Sequence, residues 1–277
     1  MTETSVVEFA PAKLNLALHV TGRRDDGYHL LDSLICFADH GDRIALSPGG
    51  PSLMIDGPFS AGLDAGGDNL CLRAAALTGA DAAIRLTKNL PVASGIGGGS
   101  ADAAAVLRGL ARLGHPLPDD THRLGADVPV CLRSAPARMS GIGEVVVPLP
   151  ALPTLDLVLV NPGVAVSTPQ VFAALDRRDN PPLPPIPDFA DATALIAWLR
   201  QTRNDLQAPA CRIAPVIGQV LQALNHHGAG LARMSGSGAT CFGIFDGAAA
   251  ALAAASDLAR RGWWAVATEL AQPQIAG

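Results

Sequence analysis

The chain has 277 residues, 49% of them apolar, and a formal charge of −5. That is enough apolar surface for one large domain or two ordinary ones, and the chain reads as globular. No Lys/Arg run exceeds two residues, which leaves no basic stripe for nucleic acid or an anionic membrane, and no apolar run approaches membrane-spanning length.

Residues 13–20, Lys-Leu-Asn-Leu-Ala-Leu-His-Val, alternate strictly. They predict a strand with Leu14, Leu16, Leu18 and Val20 on a core face and Lys13, Asn15, Ala17 and His19 on a face open to a site. A turn at 23–27 leads through Tyr28 and His29 into a strand at 30–37, with short strands at 43–46 and 53–55. A helix at 69–78, a strand at 82–87 and a helix at 101–113 follow.

Between that strand and the last helix runs Pro91-Val-Ala-Ser94-Gly95-Ile96-Gly97-Gly98-Gly99-Ser100-Ala101, with four glycines in five positions before an Ala-rich helix. Glycine lets backbone N–H groups face a ligand with no Cβ in the way, and a helix N-terminus adds unpaired N–H groups and a positive dipole end. A polyphosphate is the natural occupant; the alternative is a flexible surface turn. No Gly-Lys-Ser/Thr follows, which excludes the P-loop, and Ser100 stands where the dinucleotide fingerprint needs its third glycine. Asp102, in the first turn of the helix, reads as a carboxylate favoured by the dipole.

Residues 124–132 read as a loop entering a strand, and a turn at 141–144 separates two further strands. Pro148, Pro150 and Pro153 mark a seam, giving an N-terminal domain over 1–152 and a C-terminal domain over 153–277. Beyond it come a strand at 155–160 and a helix capped by Thr168, with Pro169 in its first turn, running through Phe172 and Leu175. The Pro-rich stretch 180–187 reads as an exposed polyproline-like connector, with an adaptor-domain ligand as the alternative. Helices follow in 190–201 and much of 206–225. Strands at 231–234 and 240–245 flank Gly236-Ser237-Gly238, and an Ala-rich helix leads to a strand at 263–268. The pattern is α+β in two parts, with antiparallel or mixed sheets.

Cys36, Cys71, Cys131, Cys211 and Cys241 are odd in number and far apart, which fits reduced, buried thiols rather than disulfides or a metal site. No signal-peptide pattern opens the chain, so the expected location is cytoplasmic. The basic residues are eighteen arginines and only two lysines, Lys13 and Lys88, and each lysine invites a chemical reason.

Three elements in order, Pro11-Ala-Lys13-Leu-Asn15-Leu, the 91–104 glycine loop and Met234-Ser-Gly236-Ser-Gly238-Ala, resemble the galactokinase, homoserine kinase, mevalonate kinase and phosphomevalonate kinase superfamily over nearly the whole chain. The resemblance implies an N-terminal mixed sheet with helices, like the second domain of ribosomal protein S5, and a C-terminal ferredoxin-like α+β sandwich. It also implies an ATP-dependent small-molecule kinase using Mg²⁺. Gly27-Tyr28-His29, Leu124-Gly-Ala-Asp127-Val-Pro and Arg203-Asn204-Asp205 resemble one branch, which implies transfer to the 2-hydroxyl of a cytidine-diphosphate-linked methylerythritol in the non-mevalonate route to isoprenoids.

By that resemblance Asp127 is the base, and Lys13 holds it ionised and polarises the alcohol or the γ-phosphoryl group. The loop from Pro91 and Ser94 to Ala101 cradles the β- and γ-phosphates, Ser100 capping the helix with a reach to Mg²⁺ or phosphate. Lys88 and Asn69 lie around the adenine and ribose. No acidic pair is prepared for the ion, so phosphates and water hold it and no metal ligand is named. Tyr28 and Phe172 sandwich the pyrimidine and His29 meets its edge. Asn15 and Thr168 lie near the erythritol or its phosphates, and Gly236, Ser237 and Gly238 face the phosphate end.

On the residues alone, Lys13 also reads as a surface cation, Asp127 as a helix cap, Tyr28-His29 as a half-buried surface pair, Phe172 as core and the second glycine turn as a hairpin connection. Two other functions stay open: a superfamily kinase acting on homoserine or a mevalonate derivative, and an ATP-binding module without turnover. The ten residues between Gly114 and Gly125 are fewer than the family spends on a further helix there. The expected assembly is a monomer or weak homodimer, with no nucleic-acid or membrane partner.

Overall fold

The alternating stretch at 13–20 is the middle of a strand, β1 (Val6–Arg23), and the computed structural model, which describes residues 5–272, buries both its faces. On the polar face, Lys13, Asn15 and His19 each make hydrogen bonds within the protein. His19, for example, donates from Nδ1 to the Pro181 carbonyl (3.0 Å) and accepts at Nε2 from the Arg203 N–H (3.2 Å). Burial lowers its pKa, which keeps the ring neutral for both bonds.

β2 (His29–Pro48) pairs with β1 and runs unbroken through residues 43–46, which the sequence suggests as a separate strand. Contacts group the chain into two units, one of residues 5–13, 40–92 and 97–134 and the other of 14–39, 93–96 and 135–272. No single cut at 152 makes this division, because β1 and β2 each contribute to both units, and the proline seam lies inside the second.

In the first unit the later half of β2 pairs antiparallel with β4 (Ala82–Thr87), and β4 pairs parallel with β3 (Ser52–Asp56). α1 (Leu70–Thr78) and α2 (Gly98–Arg112) pack together, and α3 (Val128–Arg133) packs on α2. The run of small residues in α2 lets it bury Ala101, Ala103, Ala104, Ala105, Val106 and Leu107 almost completely. Two expectations are corrected here. Gly97 occupies the cap of α2, so Ser100 lies inside the first turn rather than capping it. Residues 124–132 form no strand: a 3₁₀ turn at Thr121–Leu124 precedes α3, where Pro129 is tolerated in the first helical turn.

In the second unit the early half of β2 pairs with β5 (Ala137–Gly141), which pairs with β6 (Val145–Pro148), both antiparallel. A separate antiparallel sheet has the order β10 (Trp264–Glu269), β7 (Asp156–Asn161), β9 (Cys241–Phe245), β8 (Leu231–Met234). The helices are α4 (Thr168–Ala173), α5 (Ala192–Leu199), α6 (Gln207–Ile213), α7 (Val216–His226) and α8 (Ala248–Ala259). Val158 and Val160 of β7 share a core with Ile217 and Leu224 of α7 and Leu258 of α8. Ser167, not Thr168, is the cap residue of α4, which ends before Leu175.

The Pro-rich stretch is tied down rather than free. Leu183 is buried and its N–H donates to Asp32 Oδ2 (2.9 Å), a carboxylate that Arg138 grips with two bonds. All five cysteines are free, and burial pushes the Cys36, Cys71 and Cys131 thiols up. Among the described residues no helix is long and apolar enough to cross a membrane. The two-part α+β organisation with one mixed and one antiparallel sheet agrees with the sequence pattern.

Candidate active site

In the first unit β1 carries Lys13 with only 5% exposure, and its Nζ lies 2.8 Å from Asp127 Oδ2. Asp127 is the residue before α3, yet its side chain makes no capping bond; the carboxylate goes to Lys13 and keeps 29% of its surface open. The short connection from Gly114 to Gly125 therefore does not carry Asp127 away from Lys13. Gly97 is left-handed (φ +65°), and a Cβ there would stand 3.2 Å from Lys13 Cβ and 3.5 Å from Cε. The start of α2 thus lies directly over the lysine stem. A reachable carboxylate against a buried ammonium can take a proton while the cation stabilises charge beside it.

Lys88, which the resemblance sets around the adenine and ribose, is itself held in a buried cluster of charges. Its ammonium is buried between Asp42 Oδ2 (2.5 Å) and Asp102 Oδ2 (2.6 Å), and it lies 3.1 Å from where a Cβ on Gly98 would stand. Asp42 Oδ1 also accepts from the N–H groups of Asn89 and Leu90, which ties the exit of β4 to the cluster. Burial opposes the charge of Lys88, but the two carboxylates outweigh it and raise its pKa. Burial, with Asp42 adding to it and Lys88 opposing, pushes Asp102 up to about 8. Its Oδ1 has no hydrogen-bond partner among the described residues. Sequence reasoning passes over Asp42 and reads Asp102 only as a first-turn carboxylate favoured by the dipole, whereas it lies beyond the first turn of α2 and faces Lys88. The available signal was the scarcity of lysine, since a lysine retained in a buried strand end requires carboxylates.

Asn69 caps α1: its Oδ1 accepts from the Cys71 N–H (3.0 Å) and its Nδ2 donates to the Asp64 carbonyl (2.8 Å). Pro91, Ser94, Ile96 and Ala101 are buried, whereas Gly99 is exposed and Gly97, Gly98 and Ser100 are half-buried. The start of α2 is therefore open to a ligand, and Val92 and Ala93 of the loop are exposed as well.

In the second unit the two glycine turns interlock. A Cβ on Gly95 (φ +77°) would lie 2.7 Å from the carbonyl oxygens of Ser235 and Gly238, and one on Gly236 would lie 2.7 Å from the Gly95 oxygen. Ser235 Oγ donates to the Gly95 carbonyl and accepts from the Asn15 N–H, both at 3.1 Å. Asn204 Nδ2 holds the second turn by donating to the carbonyls of Met234 (2.7 Å) and Gly236 (2.8 Å). Asn15 is buried, its Nδ2 on Ser33 Oγ and its Oδ1 without a partner among the described residues.

The same unit holds a cavity of about 600 Å³ that brings together Tyr28, His29, Thr168 and Phe172 with Arg23 and Arg178. His29 stacks on Phe172, with ring centroids 4.8 Å apart and planes at 24°. Tyr28 is 62% exposed, so the ring against Phe172 is His29 rather than Tyr28. Burial lowers the His29 pKa, and the guanidinium groups of Arg23 and Arg178 add to that, so the imidazole is neutral at neutral pH. Its Nε2 is buried with no partner among the described residues. Thr168 Oγ1 lies 2.7 Å from Ser237 Oγ, which joins the cavity wall to the second glycine turn.

Comparison with known proteins matches this architecture. Residues 69–137 fit the family model described as GHMP kinases N terminal domain, and residues 186–262 fit GHMP kinases C terminal. The chain is 62% identical to the 4-diphosphocytidyl-2-C-methyl-D-erythritol kinase of Paracoccus denitrificans, covering 95% of this chain and 96% of that protein. It is 56% identical to the kinase of the same name from Ruegeria pomeroyi, covering 94% and 97%. A crystal structure of 4-(cytidine 5'-diphospho)-2C-methyl-D-erythritol kinase superposes with a TM-score of 0.79 at 36% identity, covering 96% of this chain and 99% of that one. The mevalonate kinase of L. major, at 17% identity and a TM-score of 0.65 over 99% of this chain and 98% of that one, shares the fold.

Proposed function

The chain belongs to the 4-diphosphocytidyl-2-C-methyl-D-erythritol kinases among the GHMP kinases, and we propose that it transfers the γ-phosphoryl group of ATP to the 2-hydroxyl of 4-diphosphocytidyl-2-C-methyl-D-erythritol. The observation that carries the proposal is the Lys13–Asp127 pair beside the start of α2.

In this reading Asp127 accepts the proton of the tertiary alcohol as its oxygen bonds to the γ-phosphorus and ADP leaves. In a loose transition state the oxygen–phosphorus bond and the proton transfer both advance late, so Asp127 takes the proton as that bond completes; a positioned base contributes about 10²–10⁴-fold. Lys13 orients the Asp127 carboxylate through their ion pair and offsets the charge on the transferred group. The N–H groups at Gly97, Gly98 and Gly99 receive the phosphates. Mg²⁺ would be held by phosphates and water, with the reach from Ser100 that the resemblance implies. When bound, the ion neutralises phosphate charge.

The cavity with His29, Phe172 and Tyr28 takes the cytosine, and Asn15 supports the turn at Ser235 that the acceptor approaches. Homoserine and mevalonate carry no base to stack there, which disfavours the other superfamily reactions. We place the enzyme in the cytoplasm, as a monomer or weak homodimer.

The test is ATP-dependent transfer to 4-diphosphocytidyl-2-C-methyl-D-erythritol, methylerythritol phosphate, homoserine and mevalonate, followed by phosphorus NMR of the products. Phosphorylation of the first is expected. Transfer to one of the others alone overturns the proposal.

A further inference from the structure

Two guanidinium groups in the cavity wall, those of Arg23 and Arg178, have no carboxylate partner among the described residues, although their chain neighbours do. Arg24 pairs with Asp26 at 2.8 Å and Arg177 with Asp179 at 2.9 Å. Arg23 Nε donates to the Gly27 carbonyl at 3.2 Å, and Arg178 Nη2 donates to the Ala173 carbonyl at 3.3 Å. The Arg178 Nε is buried with no hydrogen-bond partner among the described residues. Buried donors are ordinarily satisfied, so this one is an unmet demand for an acceptor at the wall of a ligand-sized cavity.

We propose that Arg178, with Arg23, is a specificity-determining residue that reads the diphosphate of the acceptor substrate, next to the rings that hold its base. The inference rests on the proposed function and extends it from the base to the phosphates. A guanidinium presents donors in a planar fork that matches phosphate oxygens, and its charge persists at all working pH values. Two such forks and no carboxylate set the wall against a dianion, while the neutral His29 beside them leaves the base contacts uncharged.

The experiment compares cytidine, cytidine monophosphate and cytidine diphosphate as competitors of the acceptor substrate, in the wild-type enzyme and in Arg178→Gln, Arg178→Lys and Arg23→Gln. In the wild type, inhibition is expected to strengthen with each phosphate. Arg178→Gln is expected to weaken cytidine diphosphate binding by about tenfold or more, as loss of one charge-assisted contact implies, with cytidine little affected and the loss falling on the acceptor KM rather than on kcat. Arg178→Lys is expected to recover part of it, and added salt to erode the wild-type preference. Equal inhibition by cytidine and cytidine diphosphate in the wild type would overturn the inference while leaving the base pocket standing. So would an Arg178→Gln variant that weakens both ligands alike. No competition from any of the three would overturn both the inference and the assignment of the cavity.

Discussion

A buried lysine demands negative charge, and the two lysines of this chain meet that demand in opposite ways. Lys13 faces one carboxylate that remains partly exposed, so the pair is balanced and open to chemistry. Lys88 faces two carboxylates that are closed off, so its cluster carries one acid too many and Asp102 takes up the excess as a raised pKa. Against an ordinary value of 3.8, a folded value of about 8 means that the native state holds a proton the unfolded chain has released. Stability contributed by this group is therefore lost as pH rises from about 4 to about 8. In Asp102→Asn nothing titrates there, so its stability relative to wild type should grow across that window. Urea unfolding of both proteins at pH 5.5 and 8 measures it, and a constant difference would refute the assignment. Lys88→Met strands two buried carboxylates and is expected to cost about 3–5 kcal/mol in the same assay. The importance of Lys13 and Lys88 was legible in the sequence, because lysine is so rare in it. The partners of Lys88 were not, since Asp42 and Asp102 stand 46 and 14 residues from it and carry no local pattern that marks them.

At the scale of elements, sequence and structure agree where local signals are complete. The strand at 82–87 and the helix after Asn69 have both an apolar pattern and a terminator, and they form as the pattern indicates. They part where a local signal serves a tertiary need. Residues 38–42, Ala-Asp-His-Gly-Asp, lie between the strands read at 30–37 and 43–46, yet β2 runs through them: Gly41 leaves room for the Ala10 backbone, and Asp42 is one of the two carboxylates that pair with Lys88. Residues 128–132 are a short apolar run, ambiguous between strand and helix, and Pro129 suits the first turn of α3. The first glycine loop likewise does two jobs, since Gly95 packs on the second turn whereas Gly97 and Gly98 open α2. Gly95→Ala would drive a methyl group to within 2.7–2.8 Å of backbone atoms of Ser235 and Gly238 and is expected to destabilise the protein by about 1–3 kcal/mol or more. Gly218→Ala, in α7 with no atom within 4 Å of the new Cβ, is expected to stabilise it by about 0.5–1 kcal/mol. Thermal unfolding of the two variants should move in opposite directions; a shared direction would contradict the packing assigned to Gly95.

For the whole molecule, the reaction class was legible because its motifs are spread along the chain, and each has a physical task. Lys13 and Asp127 meet as an ion pair in the first unit, while Asn204 of Arg203-Asn204-Asp205 holds the second glycine turn in the other. The division into units was not legible, because β1 and β2 each contribute to both and no composition shift records that. Nor was the His29–Phe172 stack, which depends on side-chain directions that spacing does not fix. The central claim is that Asp127, held by Lys13, takes the proton of the acceptor. Steady-state kinetics of Asp127→Asn in the full-length enzyme, with ATP and 4-diphosphocytidyl-2-C-methyl-D-erythritol, tests it most directly. With Asp127 as the base, kcat is expected to fall by about 10²–10⁴-fold, with the KM of each substrate within about threefold. A kcat within about threefold of wild type would contradict it.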